Sequence, residues 1–415
     1  MSPGNPRQLF LGVVVIAIAA FAVVVIPVLS WHPIAERLFW ASFALLIYVC
    51  VGYPLIIATC AALKARQPDG EPFEPKVSVV IAAHNEIASI KQKTANLLSL
   101  DYPADQLEIL VGSDGSTDGT LECLQDMSES RVHLFVFPRR QGKPAVLNKL
   151  VPEASGEIVV LADVRQQFDP QLLRILVQPF ADPHVGAVSG ELILRWNPDI
   201  TAVGEGVGAY WRYEKFIRSR ESRIDSTVGA TGAVYAIRKS LFEPIAEDTI
   251  LDDVLIPLRI VRRGYRVLFE PRARAYDTLP ATTREEFTRK VRTLAGNFQL
   301  FIRERWLLTP VRNRLWWQTI SHKVLRLFMP ALQIALFATN VALAGDARFY
   351  QLALVGQLLF YGGASIGWAL HYTHRKFWPV TFPFTFCLLS WATVVGFLRW
   401  ITGHQAVRWE KAASS

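Results

Sequence analysis

The chain has 415 residues, of which 51% are apolar and 19% charged, and its 44 Lys and Arg against 36 Asp and Glu give a net charge of +8. Residues 64–326 hold 69 of these 80 charged side chains, so the two flanks are almost free of charge. This uneven distribution excludes an ordinary soluble enzyme, a disordered chain and a collagen-like fibre. The central block holds 36 basic and 33 acidic residues, and this near-neutrality argues against a nucleic-acid-binding protein.

Two charge-free windows, Gln8–Trp31 and Leu38–Leu63, precede the central block. Each is near or above the roughly 20 apolar residues that a helix needs to cross the hydrocarbon core of a bilayer. The apolar run of the first window is too long for a secretory signal, and no small-residue cleavage site separates it from the second. We therefore predict two transmembrane helices within residues 1–63.

Short apolar runs alternate with helical stretches in the central block, a pattern typical of a mostly parallel α/β sheet covered on both faces. Polar clusters follow three of the runs, at His84–Glu86, Ser113–Gly115 and Asp163. Ligands of such sheets bind beyond the carboxyl ends of the strands, so the clusters predict one shared site. The absence of a GxGxxG motif after a strand and of a P-loop excludes those two kinds of nucleotide site. The runs predicted as strands are Val77–Ala83, Leu107–Val111, Val132–Phe137, Ile158–Ala162 and Val185–Ser189.

Three further charge-free windows follow the central block, and their length again predicts membrane spans. They are Leu327–Gly345, Phe349–Leu370 and Phe377–Leu398. The last window contains Pro379 and Pro383 and could instead be re-entrant, so the number of C-terminal spans, two or three, and the side of the basic tail stay open.

Basic residues lie at both edges of the central block, at Lys64 and Arg66 before it and between Arg303 and Arg326 after it. Because positive loops stay in the cytoplasm, the block is predicted to be cytoplasmic. The predicted organisation is two spans over 1–63, an α/β domain over 64–280, amphipathic interface helices over 281–326, and C-terminal spans with a short basic tail over 327–415.

Six short motifs follow one another along the chain: Val77–Glu86, Gly112–Gly119, Gly142–Ala145, Leu161–Asp163, Thr231–Ala233 and Leu251–Asp253. In this order they resemble the motifs of family 2 glycosyltransferases. With apolar helices on both sides, the chain is similar to the membrane-integrated synthases of hyaluronan, cellulose, chitin oligomers and poly-N-acetylglucosamine. The resemblance implies an α/β nucleotide-diphospho-sugar transferase fold of the GT-A type, embedded between transmembrane helices. It also implies an integral protein of a bacterial inner membrane.

The resemblance assigns a donor site to the first four motifs. Asp114 matches the aspartate that binds the nucleoside, although the sequence Asp-Gly-Ser is also typical of a turn. Lys143 matches a lysine near the nucleotide, with a solvated surface lysine as the alternative. Asp163 matches the first aspartate of the Asp-x-Asp motif, which holds the ribose and a divalent cation, Mg²⁺ or Mn²⁺, beside the diphosphate. Arg165 replaces the second aspartate, which leaves a single protein carboxylate for the metal. Arg165 itself either neutralises phosphate charge or points into solvent.

His84 and Glu86, in the first motif, are expected to complete the donor-binding set. On the acceptor side, Thr231 and Gly232 are expected to lie beside the acceptor sugar, because small residues allow its close approach.

Asp253 matches the last residue of the family's Thr-Glu-Asp motif, which implies the general base that takes the proton of the acceptor hydroxyl. Asp252 stands in the glutamate's place, and a neighbouring carboxylate can raise the pKa of the base. The alternative role for either residue is a helix N-cap.

The segment Arg289–Thr293 resembles the Gln/Arg-x-x-Arg-Trp motif of the synthases. Arg292 aligns with the arginine that meets the diphosphate, and Arg289 lies at the start of the same motif. Thr293 replaces the tryptophan that packs at the acceptor end of processive enzymes, so processivity stays open. A basic juxtamembrane helix that binds lipid headgroups is the alternative.

Three hypotheses follow from these observations. The first is an inverting glycosyltransferase that moves a sugar from a UDP-linked donor onto a growing polysaccharide, with export through its own helices as a further prediction. The second is transfer of one sugar to a polyprenyl phosphate or another lipid. The third, a transporter or nucleotide sensor, is disfavoured because the apolar windows contain no charge. The expected partners are a nucleotide-sugar donor, a glycan or lipid acceptor and membrane lipid, with no nucleic acid, and protein partners stay open.

Overall fold

A computed structural model describes residues 32–64, 73–127, 129–195, 202–278, 283–370 and 377–405. The first predicted span, Gln8–Trp31, lies outside these residues. The described residues fall into two compact units. The α/β unit lies within residues 56–200, 207–320 and 395–415, and the helical unit comprises the rest.

The α/β unit contains an eight-stranded sheet in the order β3-β2-β1-β4-β7-β6-β8-β5. Strands β1 to β4 pair in parallel, whereas β7 runs antiparallel to both β4 and β6, so the sheet is mixed but mostly parallel on one side. All five predicted runs form strands. The strands are β1 Val77–Ala83, β2 Leu107–Asp114, β3 Val132–Phe137, β4 Ile158–Ala162, β5 Gln167–Phe168, β6 Val185–Arg195, β7 Val234–Arg238 and β8 Arg266–Thr278.

The described helices, apart from short 3₁₀ turns, are numbered in chain order. They are α1 His32–Leu63, α2 Ile87–Leu98, α3 Thr120–Gln125, α4 Lys143–Glu153, α5 Leu172–Val177, α6 Ala202–Ile224, α7 Asp252–Arg262, α8 Thr283–Arg303, α9 Trp316–Leu327, α10 Met329–Leu343, α11 Arg348–Leu370 and α12 Trp378–Ile401.

Both faces of β1, β2 and β4 are covered. On one face, alternate residues of β1, β2 and β4 join the apolar side chains of α2 and α5 in one buried core. On the other, α4 packs so closely on β2 that a Cβ at Gly112 would lie 2.5 Å from Val146 Cγ1. Burial on both faces explains why these strands read as continuous apolar runs. Since β1, β2 and β4 are parallel, the polar residues after them meet at one edge of the sheet.

Three described helices are long and apolar enough to cross a membrane, namely α1, α11 and α12. The consecutive helices α9 and α10 are bent by 61° and would form a fourth crossing if the pair is one span. These helices overlap the last four predicted windows and support membrane association.

The helical unit is joined by aromatic and polar contacts between its helices. Trp40 of α1 stacks on Phe349 of α11, with ring centroids 5.3 Å apart. Gln333 of α10 donates a hydrogen bond to Ser390 of α12 at 2.6 Å. Such side-chain hydrogen bonds hold apolar helices together where burial of apolar surface supplies little driving force.

Candidate active site

Asp114, at the end of β2, anchors the loop that leads into α4. Its Oδ1 accepts a hydrogen bond from the Gln141 N–H at 2.6 Å, and its Oδ2 accepts one from the Gly142 N–H at 2.8 Å. Gly142 adopts a φ of 103°, which glycine tolerates and other residues rarely do. The carboxylate is buried and thereby fixes the turn that presents Lys143. The predicted contact of Asp114 with the nucleoside stays a prediction.

His84 and Glu86, after β1, lie against the loop after β2. The His84 Nδ1 is 2.6 Å from the Asp114 carbonyl oxygen, and the Glu86 N–H donates to Thr120 Oγ1 at 2.8 Å. Asn85 between them has a positive φ of 54°, and its Oδ1 accepts a hydrogen bond from the Thr117 N–H at 2.8 Å. The first two polar clusters therefore form one braced structure at the sheet edge.

Lys143, the first residue of α4, lies between two carboxylates. Its Nζ donates to Asp163 Oδ1 at 2.8 Å and is 3.4 Å from Asp252 Oδ2. The side chain is only 17% exposed, so this lysine is not a solvated surface residue. Burial by itself opposes the charge, but the carboxylates of Asp163, Asp252 and Asp253 prevail and raise the pKa of Lys143.

Asp163 follows β4 and brings the third predicted cluster to the same place. Arg165 points its Nε towards Glu86 Oε1, at 3.4 Å, so the residue in the second aspartate's position forms an ion pair across the loop. No group of three or more His, Cys, Asp or Glu side chains that could hold a metal occurs in the described part of the chain. A divalent cation here would use Asp163 and oxygens of the substrate, a donor set that suits Mg²⁺.

Asp253 lies in the first turn of α7, with its half-buried carboxylate directed at the Thr231–Ala233 segment. The Gly232 N–H donates to Asp253 Oδ2 at 3.0 Å, and a Cβ at Gly232 would lie 3.0 Å from that same oxygen. Burial and the neighbouring Asp252 raise the pKa of Asp253 to about 6, while the Lys143 and Arg218 charges oppose the rise. A carboxyl group with this pKa is ionised at neutral pH and basic enough to accept a proton.

Arg218 of α6 belongs to this site, although the sequence does not single it out. Its Nη1 donates to Thr231 Oγ1 at 2.6 Å, and the Thr231 N–H donates to Ser189 Oγ at 3.0 Å. In the sequence, Arg218 is one of many charged and aromatic residues in an amphipathic stretch. Its position beside Thr231 depends on the packing of distant segments, which no local motif reports.

Tyr235 of β7 is a second residue that the sequence does not single out. It is fully buried, and its hydroxyl has no hydrogen-bond partner within the described ranges. Burial, together with the charges of Asp252, Asp253 and Asp163, raises the pKa of its phenol. It therefore supplies a neutral hydroxyl near the three carboxylates.

The two arginines of the predicted basic motif have different surroundings. Arg292 of α8 donates from Nη2 to the Ile250 carbonyl at 3.4 Å, two residues before Asp252. Burial lowers the pKa of Arg292, and the charges of Asp252, Asp253 and Asp163 counteract that effect, so its guanidinium lies within their field. Arg289 is 41% exposed, with Nη2 at 3.9 Å from Asp277 Oδ2.

Comparison with known proteins shows which family part of this chain resembles. Residues 78–243 match the sequence profile of Glycosyl transferase family 2. The matched segment includes every predicted donor residue of the first four motifs and the Thr231–Ala233 segment, but it ends before Asp252.

Two curated relatives are poly-β-1,6-N-acetyl-D-glucosamine synthases. The one from Staphylococcus epidermidis is 23% identical over 283 residues, which cover 67% of this chain and 66% of the relative. The one from Staphylococcus aureus (strain COL) is 24% identical over 287 residues, covering 66% of each. The chain thus matches just under two thirds of the length of these relatives.

A solved structure shares the fold. The mannosyltransferase PcManGT from Pyrobaculum calidifontis, in complex with GDP-Man and Mn²⁺, superposes with a TM-score of 0.66 and 23% identity over 88% of this chain and 99% of that one. The sheet is therefore of the GT-A nucleotide-sugar transferase type, as predicted. Residues 78–243 of this chain are thus similar to the family 2 glycosyltransferase domain, and the sheet that contains them has the fold of nucleotide-sugar transferases.

Proposed function

We propose that the protein is a membrane-embedded synthase that transfers a sugar, with inversion, from a nucleotide-diphosphate donor to the hydroxyl of a growing polysaccharide. The observation that carries this proposal is the cluster in which Lys143 joins Asp163 of the donor loop to Asp252, with Asp253 next in the chain. The Lys143 side chain thereby connects the predicted donor-binding residues to the predicted acceptor-binding residues. The polysaccharide synthases among the relatives support a polymeric product.

On the donor side, Lys143, Arg292 and Arg165 supply positive charge where a leaving diphosphate would develop negative charge. Preorganised charges of this kind stabilise a transition state more effectively than water does, because they need no reorientation during the reaction. The Asp163 carboxylate would hold Mg²⁺ or Mn²⁺ together with diphosphate oxygens. When bound, the cation would supply further charge neutralisation to the leaving group. We take the donor to be a UDP-sugar, as the resemblance to the synthases implies.

On the acceptor side, Asp253 acts as the general base. The acceptor hydroxyl oxygen forms a bond to the anomeric carbon while the bond from that carbon to the diphosphate breaks, and the hydroxyl proton passes to the Asp253 carboxylate. The hydrogen bond from the Gly232 N–H holds Oδ2 of this carboxylate in place. The absence of a Cβ at Gly232 lets this carboxylate lie directly against the Thr231–Ala233 backbone.

Transfer of one sugar to a lipid is not favoured, because the curated relatives are polymer synthases. We further propose that the α/β unit faces the cytoplasm, where nucleotide sugars are available. The basic residues at the edges of the central block support this orientation.

The function is tested by turnover of labelled UDP-sugars by the protein in lipid vesicles with Mg²⁺ or Mn²⁺. Asp253→Asn should lower the transfer rate about 10²–10⁴-fold, because the variant lacks the base, while UDP still binds. Asp105→Asn, at an exposed carboxylate in a surface turn, is the matched control and should leave the rate unchanged. Full activity of the Asp253→Asn variant would remove this residue from the mechanism.

A further inference from the structure

Lys93 is a buried lysine that belongs to none of the family motifs and has no part in the mechanism above. It lies on α2 with no solvent exposure. Its Nζ donates a hydrogen bond to the Gln166 carbonyl at 2.7 Å and lies 3.4 Å from the centroid of the Phe168 ring. Burying a lysine amino group costs free energy unless its partners replace the lost contacts with water. The Gln166 carbonyl and the Phe168 ring provide that replacement.

The segment that Lys93 holds is the continuation of the donor loop. Gln166 comes three residues after Asp163 and directly after Arg165. One turn further along α2, Asn96 makes two hydrogen bonds to the backbone of Phe168, accepting from its N–H at 2.7 Å and donating to its carbonyl at 3.0 Å. Residues three apart share one helix face, so a single face of α2 holds residues 166–168 at two points.

The same segment is tied to the basic helix α8 through its side chain. Gln166 Nε2 donates to Asp277 Oδ2 at 2.8 Å, and this carboxylate lies 3.9 Å from Arg289 Nη2. A displacement of residue 166 would therefore reach both Asp163 and the basic motif of α8. Burial lowers the pKa of Lys93 to about 7, and the Asp163 carboxylate opposes this effect by favouring the charged form of the lysine.

We propose that Lys93 is a positioning residue for the donor diphosphate: the hydrogen bond from its Nζ fixes the Gln166 carbonyl and so holds Asp163 and Arg165 where the diphosphate and its cation bind. Only the kinetic part of this inference rests on the proposed function. A purely structural lysine would stabilise the fold without affecting how tightly the donor binds.

Lys93→Met tests the proposal, because methionine fills a similar volume without a charge or a donor. Lys93 contacts a carbonyl and an aromatic ring, so the substitution leaves no buried carboxylate without its ion-pair partner. The variant is therefore expected to fold. Its donor KM and the Mg²⁺ concentration for half-maximal rate should each rise about tenfold, as expected when a buried carbonyl loses its donor, with kcat changed less than about threefold. Lys93→Arg should keep both values near wild type.

Lys91→Met is the matched control, since Lys91 lies two residues earlier on the same helix and is exposed. It should leave both values unchanged. A Lys93→Met variant with lower kcat or lower thermal stability but unchanged donor KM would show a purely structural lysine and overturn the proposal.

Amide hydrogen exchange of the peptide covering residues 163–168, without any ligand, provides a second test. Lys93→Met should exchange faster than wild type in this peptide, whereas Lys91→Met should not. Equal exchange in all three proteins would contradict the proposed positioning. If wild-type protein turned over no nucleotide sugar, the proposed function would fail, and this exchange measurement would still decide the role of Lys93.

Discussion

At the scale of single residues, the site is organised by charge. Lys143 ion-pairs with Asp163 and Asp252, and Asp253 beside them has a pKa raised to about 6. Like-charged neighbours and burial disfavour ionisation of Asp253, which makes it a stronger base than an exposed aspartate. The cations Lys143 and Arg218 keep the pKa from rising further, so the group remains ionised at pH 7.

The pKa of Asp253 leads to a prediction about the pH dependence of the rate. The base works only when ionised, so kcat/KM should fall as the pH drops through about 6. Asp252→Asn should move this acidic limb to lower pH, because the substitution removes a carboxylate that raises the pKa. A pH–rate profile of both proteins with the same nucleotide sugar checks this, and an identical limb in the two would contradict it.

The site residues that the sequence predicts differ from those that it misses in their position within the secondary structure. Asp114, Asp163 and Asp253 follow strands or begin helices, so a short motif predicts both their position and their chemistry. Arg218 and Lys93 lie in the interior of helices among other charged residues. Their importance depends on contacts with segments far away in the chain, which a local pattern does not contain.

At the scale of elements, the same distinction holds for the sheet. The five predicted strands are apolar runs, and three of them, β1, β2 and β4, are buried on both faces. β8, Arg266–Thr278, was not predicted because charged residues interrupt it, and β5 has only two residues. These strands form through pairing with each other and with β6, which a single stretch of sequence does not reveal.

The packing of α8 on the loop before α7 controls the position of Asp252 and of the proposed base, Asp253. A Cβ at Gly296 would lie 2.5 Å from Leu251 Cγ and 2.8 Å from Ile250 Cγ2, so the helix and the loop are in close contact. Arg303 and Gln299 of α8 also bind this loop, through the Asp248 carboxylate, the Asp248 carbonyl and the Ile250 N–H.

Gly296→Ala should therefore displace residues 250–251 and with them Asp252 and Asp253. We expect a loss of about 1–3 kcal/mol in the free energy of unfolding, as for an overpacked core, together with a lower kcat. Gly208→Ala on α6 is the control, because a Cβ there would meet only Arg212 Nη1 at 3.8 Å. Thermal unfolding and transfer rates of the two variants check the prediction. Equal stability and activity in both would show that the loop tolerates the added methyl group.

At the scale of the whole molecule, the charged residues and the long apolar helices lie in different parts of the chain. The α/β unit carries nearly all charged residues, whereas α1, α11 and α12 have the length and apolar composition of membrane spans. Polar side chains within the apolar helices bond to each other, as Gln333 does to Ser390. In the proposed function, such helices would keep a growing, hydrophilic product at the membrane and would provide the route for the predicted export.

Product length is the most direct test of polymer synthesis. The purified protein in lipid vesicles would receive labelled UDP-N-acetylglucosamine and a panel of other nucleotide sugars with Mg²⁺ or Mn²⁺, and the products would be separated by size. We predict a ladder or a high-molecular-weight glycan that disappears in the Asp253→Asn variant, despite Thr293 in the position of the synthases' tryptophan. A product of one sugar on an extractable lipid would contradict the proposed function.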